Sequence, residues 1–97
     1  TVVSEGSWDA ARAGAGCVLD AVERAMDGRN ARSFCAVRPP GHHALRAQGM
    51  GFCLFGNVAI GAKHALALGA ARVLIVDWDV HHGNGTQALV EDESRIR

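Results

Sequence analysis

Apolar residues recur at helical spacing between Trp8 and Met26, through Ala11, Val18, Leu19, Val22 and Met26, while Asp9, Asp20, Glu23, Arg24 and Asp27 fall on the other side. This pattern predicts an amphipathic helix, with Ser7 as its N-cap and Gly28 as its stop. Residues 33–37 form a short apolar segment that predicts a strand. Arg38-Pro39-Pro40-Gly41 ends it, since proline cannot continue a ladder and glycine permits a tight turn. Residues 41–51 read as a loop. Helical periodicity returns over 57–68, through Val58, Ala62, Ala65 and Leu66, and Gly69 stops it. The β-branched run at 72–76 predicts a buried parallel strand. A helical turn is expected at 86–90, and Glu91-Asp92-Glu93 reads as a solvated turn.

Strand, loop, helix and strand in that order predict a right-handed βαβ unit with parallel strands. The fold class is α/β. The loops after residues 37 and 76 should therefore leave the same sheet edge, where ligands bind in open α/β sheets, and bring residues 42–43 and 77–84 to one cleft.

Composition narrows the class. The 97 residues are 48% hydrophobic, enough to argue against global disorder. Ten basic residues balance ten acidic ones with no basic block, which disfavours direct nucleic-acid binding. No apolar stretch reaches membrane-span length, so no membrane partner is expected. The N-terminus has neither the basic start nor the apolar core of a signal peptide, and the expected location is cytoplasmic. It has no initiator Met, so the chain is expected to begin mid-protein. Cys17, Cys35 and Cys53 form no CxxC pair and are expected as buried thiols in a reducing compartment rather than a disulfide framework.

The chemistry concentrates in two loops. Asp77-Trp78-Asp79-Val80-His81-His82-Gly83-Asn84-Gly85 follows the second strand. Side chains alternate along extended chain, so Asp77, Asp79 and His81 can share a face. Asp79 and His81 suit zinc, and a catalytic zinc site needs a third protein ligand besides. His42 and His43 would serve as general base and as proton donor or positive charge. Asp77 can orient one ring and Asn84 the other. A carboxylate partner favours a protonated ring more than a neutral amide does. Gly83 and Gly85 would let backbone approach the site closely. Backbone carbonyls around 77–81 could hold a monovalent cation. Against these stand the plain readings. His64 is expected as a polar surface residue on its helix, Trp78 and Val80 as core, and Phe52 fits either core or the wall of a substrate channel.

Three ordered segments carry a resemblance: Arg38-Pro39-Pro40-Gly41-His42-His43-Ala44, Gly51-Phe52-Cys53-Leu54-Phe55, and Val76-Asp77-Trp78-Asp79-Val80-His81-His82-Gly83-Asn84-Gly85-Thr86-Gln87. Together they resemble the zinc-dependent histone deacetylase superfamily, nearest its class II branch and the bacterial and acetylpolyamine amidohydrolase relatives. The resemblance implies part of an arginase/deacetylase-type fold, with a mostly parallel sheet flanked by helices. It implies Asp79 and His81 as zinc ligands and His42 and His43 as the tandem catalytic histidines. Asp77 would pair with the first histidine and contribute backbone to a potassium site. Asn84 would pair with the second. Phe52 would form one wall of the acyl-lysine tunnel, with Gly51 beside the acyl chain. The implied reaction is hydrolysis of an acetylated lysine side chain or an acetylpolyamine to acetate and free amine.

The family also carries a third zinc ligand, an Asp, and a Tyr or His that stabilises the transition state, both further downstream. This chain ends at Arg97 and contains no Tyr. Residues 1–97 are therefore expected to be a deacetylase domain incomplete at its C-terminus and, in isolation, inactive or nearly so. Loss of one oxyanion donor alone costs roughly 3–4 kcal/mol. Gly56 stands where the family commonly has Asn, which caps a helix better. The alternative is a non-catalytic metal-binding or interaction module that retains the loops. A two-metal hydrolase on the related arginase-type fold ranks lower, because it would need more Asp and His ligands.

Overall fold

A computed structural model describes all residues 1–97. Three helices order the chain: α1 (Ser7–Met26), α2 (Asn57–Ala67) and α3 (Asn84–Val90). Periodicity located the first two, and the third extends the helical turn expected at 86–90, each with different ends. Gly6, not Ser7, is the N-cap of α1. The Ser7 hydroxyl instead accepts the Ser4 N–H at 2.8 Å, while the Ser7 N–H donates to the Ser4 carbonyl. Gly28 and Gly69 follow α1 and α2 in the left-handed region, φ +80° and +106°, the conformation that glycine adopts without Cβ strain.

α1 packs on α2 through small residues. A Cβ added to Gly61 would stand 2.6 Å from Val18 Cγ1, so the absent side chain is what allows the helices this separation. Ala11 of α1 and Ala59, Ala62 and Ala65 of α2 are buried along with Ala44, Cys53 and Ile96. His64 is not a free surface residue: its Nε2 lies 3.0 Å from Glu23 Oε1, linking α2 to α1. Gly56 is the N-cap of α2, and a Cβ there would stand 2.5 Å from Leu89 Cδ1 of α3. Glycine here lets the Leu89 side chain of α3 pack against the start of α2.

The expected βαβ sheet is not formed by these residues. Residues 33–37 make no backbone–backbone hydrogen bond. Residues 73–75 pair in parallel only with 95–97: Val73 N–H donates to Arg95 O at 2.9 Å, and Arg97 N–H donates to Val73 O at 3.0 Å. The two apolar segments instead flank a cleft lined by Cys35, Val37, Ile75 and Val76. No strand lies between them to satisfy their backbone groups. The buried environment expected for the second segment is missing for the same reason. Leu74, Val76, Trp78 and Val80 alternate onto one exposed face, with Trp78 at 90% and Val80 at 91% exposure, so the core reading of these two residues is wrong here.

Candidate active site

Although the sheet is absent, both loops reach the same place. Pro40, Gly41 and His42 arrive from one side of the cleft and Asp77, Trp78 and Asp79 from the other, around a volume of ≈ 430 Å³. Three local contacts fix this convergence, two through backbone and one through the Asn57 side chain. The N–H groups of Gly85 and Thr86, at the start of α3, both donate to the His42 carbonyl, at 2.8 and 3.1 Å. The Asn57 amide, at the start of α2, donates to Pro39 O at 3.3 Å. The third is close contact at glycine. A Cβ on Gly83 would stand 2.7 Å from Asp77 Oδ2, and one on Gly85 would collide with Ala44 and His43. The backbone approach expected of these two glycines is therefore present.

The histidine rings lie 4.1 Å apart, centre to centre. His42 Nδ1 is 2.9 Å from Asp77 Oδ2, and His43 Nδ1 is 2.6 Å from Asn84 Oδ1. Both acceptors are oxygens, so each ring donates from Nδ1 and keeps Nε2 free. One ring is thus backed by a carboxylate and its neighbour by a neutral amide. Asp77 Oδ1 also accepts the Asp79 N–H at 3.0 Å. The His42 hydrogen bond first, and then that backbone N–H, hold the Asp77 carboxyl below the usual carboxylate range.

Asp79 and His81 stand beside the pair. Asp79 Oδ1 lies 3.2 Å from His81 Nδ1 and 3.9 Å from His42 Nε2. The His81 N–H, donating to Oδ1 at 2.7 Å, is the leading cause that depresses the Asp79 carboxyl. The donor set can be tested against zinc. Two ligands at zinc–oxygen and zinc–nitrogen distances, set at a tetrahedral angle, stand about 3.3 Å apart. The Asp79–His81 separation fits that value. No third His, Cys, Asp or Glu joins them, so these residues form a donor pair and not a complete set of ligands. His82 points elsewhere, with its Nε2 2.7 Å from Gln87 Oε1.

Gly51 and Phe52 follow the histidine loop in sequence. Both have left-handed backbone, φ +55° and +66°, and Gly51 packs so closely against the His43 ring that a Cβ would overlap it. Phe52 is 77% exposed and lines a separate surface cleft with Thr1, Pro39, Pro40 and Leu54, so it is not buried among these residues. Cys53 lies beneath, fully buried, accepting the His43 N–H at 3.4 Å on its Sγ. Sequence reasoning missed this support for His43. It also missed Met50, whose Sδ accepts from the Asn84 amide at 3.5 Å. The only signal for either was nearness to Gly51. Cys17 is exposed and Cys35 half-buried, so the buried-thiol expectation holds for Cys53 alone.

No helix is long and apolar enough to cross a membrane.

An uncharacterised protein of Synechocystis is 55% identical over 97 residues, 99% of this chain and 32% of its own length. The rat protein named polyamine deacetylase HDAC10 is 47% identical over 91 residues, 93% of this chain and 16% of its own. The crystal structure of the HDA15 HD domain superposes with a TM-score of 0.87 at 52% identity, covering 90% of this chain and 25% of that one. The chain thus spans about a third or less of the length of these relatives. The family model for the histone deacetylase domain matches residues 1–97 throughout. This chain belongs to the histone deacetylase family.

Proposed function

We propose that residues 1–97 are the catalytic-loop portion of a zinc-dependent deacetylase that hydrolyses an N-acetyl amide on a lysine side chain or a polyamine. The observation that carries the reading is the juxtaposition of two oriented imidazoles with the Asp79–His81 donor pair. Family membership supports the reaction class. The printed name of the rat relative supports acetylated polyamine beside acetyl-lysine.

Asp79 and His81 are the residues that would hold the zinc, with a further ligand from the longer polypeptide. Zinc, when bound, polarises the scissile carbonyl. The remaining work falls to this chain's residues. His43, held at Nδ1 by the neutral Asn84 amide, offers Nε2 to take the proton of the attacking water. His42, backed by the Asp77 carboxylate, is suited to carry positive charge beside the developing oxyanion and to pass a proton to the leaving amine. Phe52 and Gly51 flank the acyl chain at the rim. The Asp77 carbonyl, with others around 77–81, would offer oxygen ligands to a structural potassium ion.

The same reading accounts for the bare apolar stripe. Strands between 33–37 and 72–76, and a covering layer over Leu74, Val76, Trp78 and Val80, would complete a mostly parallel sheet flanked by helices. Residues 1–97 are then one part of a larger deacetylase domain, working in the cytoplasm.

The test compares this chain with a longer polypeptide that contains it, each loaded with zinc and given an acetyl-lysine peptide or an acetylated polyamine. Acetate release by the longer protein, lost with His43→Ala, is the expected result, together with little or none from the 97-residue chain. If the longer protein hydrolyses neither substrate, or keeps its rate in the His43→Ala variant, the reading fails and a non-catalytic module takes its place. Hydrolysis by the isolated chain would refute its dependence on outside residues.

A further inference from the structure

We infer that Cys17 and Cys35 form a reversible redox pair, closing to an intramolecular disulfide that ties α1 to the segment leading into the histidine loop. The inference is independent of the deacetylase reading.

It begins with how α1 lies on residues 33–38. A Cβ added at Gly14 would meet Val37 Cβ at 3.6 Å and Arg38 O at 3.4 Å. Three residues on, Cys17 falls on the same helix face. There the Cys35 thiol reaches the Cys17 carbonyl oxygen at 3.7 Å. Helix and segment therefore run past each other in opposite directions, with 14 facing 37–38 and 17 facing 35. Standard peptide geometry puts a carbonyl oxygen about 2.4 Å from its own Cα, so the Cys35 sulfur lies within about 6 Å of the Cys17 Cα. A disulfide needs Cα atoms about 4.4–6.8 Å apart, so closing the bond calls on rotation of both side chains and a shift of the Cys35 segment toward α1.

Access differs among the three thiols. Cys17 is exposed, Cys35 half-buried and Cys53 fully buried. Cys17 and Cys35 also line one open cleft of ≈ 490 Å³, so a small disulfide oxidant can reach both. Cys53 is packed beneath His43, with its Sγ between the His43 N–H and Gly51 O.

The oxidant class is a small-molecule disulfide such as oxidised glutathione. The Cys17 thiolate attacks one of its sulfurs, forming a mixed disulfide and releasing one glutathione thiolate. The Cys35 thiolate then attacks the Cys17 sulfur and expels the second. Two protein thiols are oxidised and one disulfide is reduced to two thiols, which take up the protons that the cysteines lose. In a reducing compartment such a bond is transient and fits a sensor rather than a staple. Its lever is short, because the Cys35 segment continues through Val37, Arg38 and Pro39 to His42.

The folded chain would be equilibrated with graded mixtures of reduced and oxidised glutathione, trapped with acid, alkylated and peptide-mapped without reduction. The expected product is a Cys17–Cys35 cross-link, marked by the loss of two hydrogens, with Cys53 still reduced. Cys17→Ser and Cys35→Ser should each abolish the cross-link and leave a glutathione adduct on the remaining surface thiol. Repeating the wild-type reaction in denaturant separates folded geometry from chance encounter. Native conditions should favour the 17–35 link by about tenfold or more, because the fold has already closed the intervening loop. Wild-type protein that stops at glutathione adducts, that links through Cys53, or that forms the 17–35 bond no more readily folded than unfolded would overturn the inference.

Discussion

Gly51 lies against the face of His43 with no room for a methyl group between them. Its backbone also sits at φ +55°, where an L side chain is strained. Gly51→Ala therefore meets two penalties, an overlap with the ring and an unfavourable dihedral. A loss of about 1–3 kcal/mol in unfolding free energy is expected. The His43 ring resonances should move with it, which a denaturant titration followed by imidazole NMR would read.

The tautomer of His42 depends on Asp77. In Asp77→Asn an amide replaces the carboxylate, and its NH₂ group can donate to the ring nitrogen that now donates to Oδ2. Nitrogen-15 imidazole spectra should then show protonation at Nε2 in a substantial fraction of molecules, against Nδ1 in the parent. In a longer, active protein the same change should lower turnover by about 10²–10⁴-fold, the range typical for loss of one positioned proton-transfer group. Unchanged spectra and unchanged turnover would remove Asp77 from its orienting role.

Two helical glycines should respond with opposite sign. Gly16 of α1 has open space where its Cβ would be, so Gly16→Ala gains the helix-propensity difference, about 0.5–1 kcal/mol. Gly61 meets Val18. Gly61→Val must push α1 and α2 apart, and a cost of about 1–3 kcal/mol from overpacking is expected. Thermal unfolding of the two variants side by side checks the pair, and a stable Gly61→Val would contradict the packing described.

Glu93 fastens the C-terminal turn. Arg95 donates to it from Nε at 2.9 Å, from Nη2 at 2.9 Å and from its backbone N–H at 3.1 Å. The side-chain bonds first, and the backbone N–H after them, lower the Glu93 carboxyl to about 2. A depressed folded pKa stabilises the fold fully above the unfolded value, about 4.3, and that contribution is lost as pH falls from there through about 2. Carboxyl NMR should place the Glu93 midpoint near the lower figure. In Arg95→Met it should return toward the upper one, with fraying of the Val73–Arg97 pairing.

How much of this was legible in the sequence depended on how local each cause was. The helices at 7–26 and 57–67 follow from periodicity and glycine stops, which are local. The small helix at 84–90 was expected only as a turn over 86–90, and its start missed Asn84 and Gly85, whose place depends on His42. That Asp77 orients one histidine ring and Asn84 the other follows from placing both loops at one cleft, whereas which ring each one takes was implied only by the family resemblance. The sheet did not follow. A β-branched run such as 73–76 states a preference for burial between neighbours, and within these residues the only neighbour is 95–97, too short to show as a pattern. Trp78 and Val80 were read as core for that same reason. Glycine contacts such as Gly61 with Val18 were invisible, because sequence shows a missing side chain without showing what fills its place.

The carbonyl of His42 accepts two hydrogen bonds from the first turn of α3. One half of the site therefore acts as the mould for the other. A graft that moved residues 38–51 onto a new scaffold would carry both imidazoles but leave behind the donors and the acceptors that set their angle. Engineering of this centre has to transplant the two loops as a single part, with the distance between them as the quantity conserved.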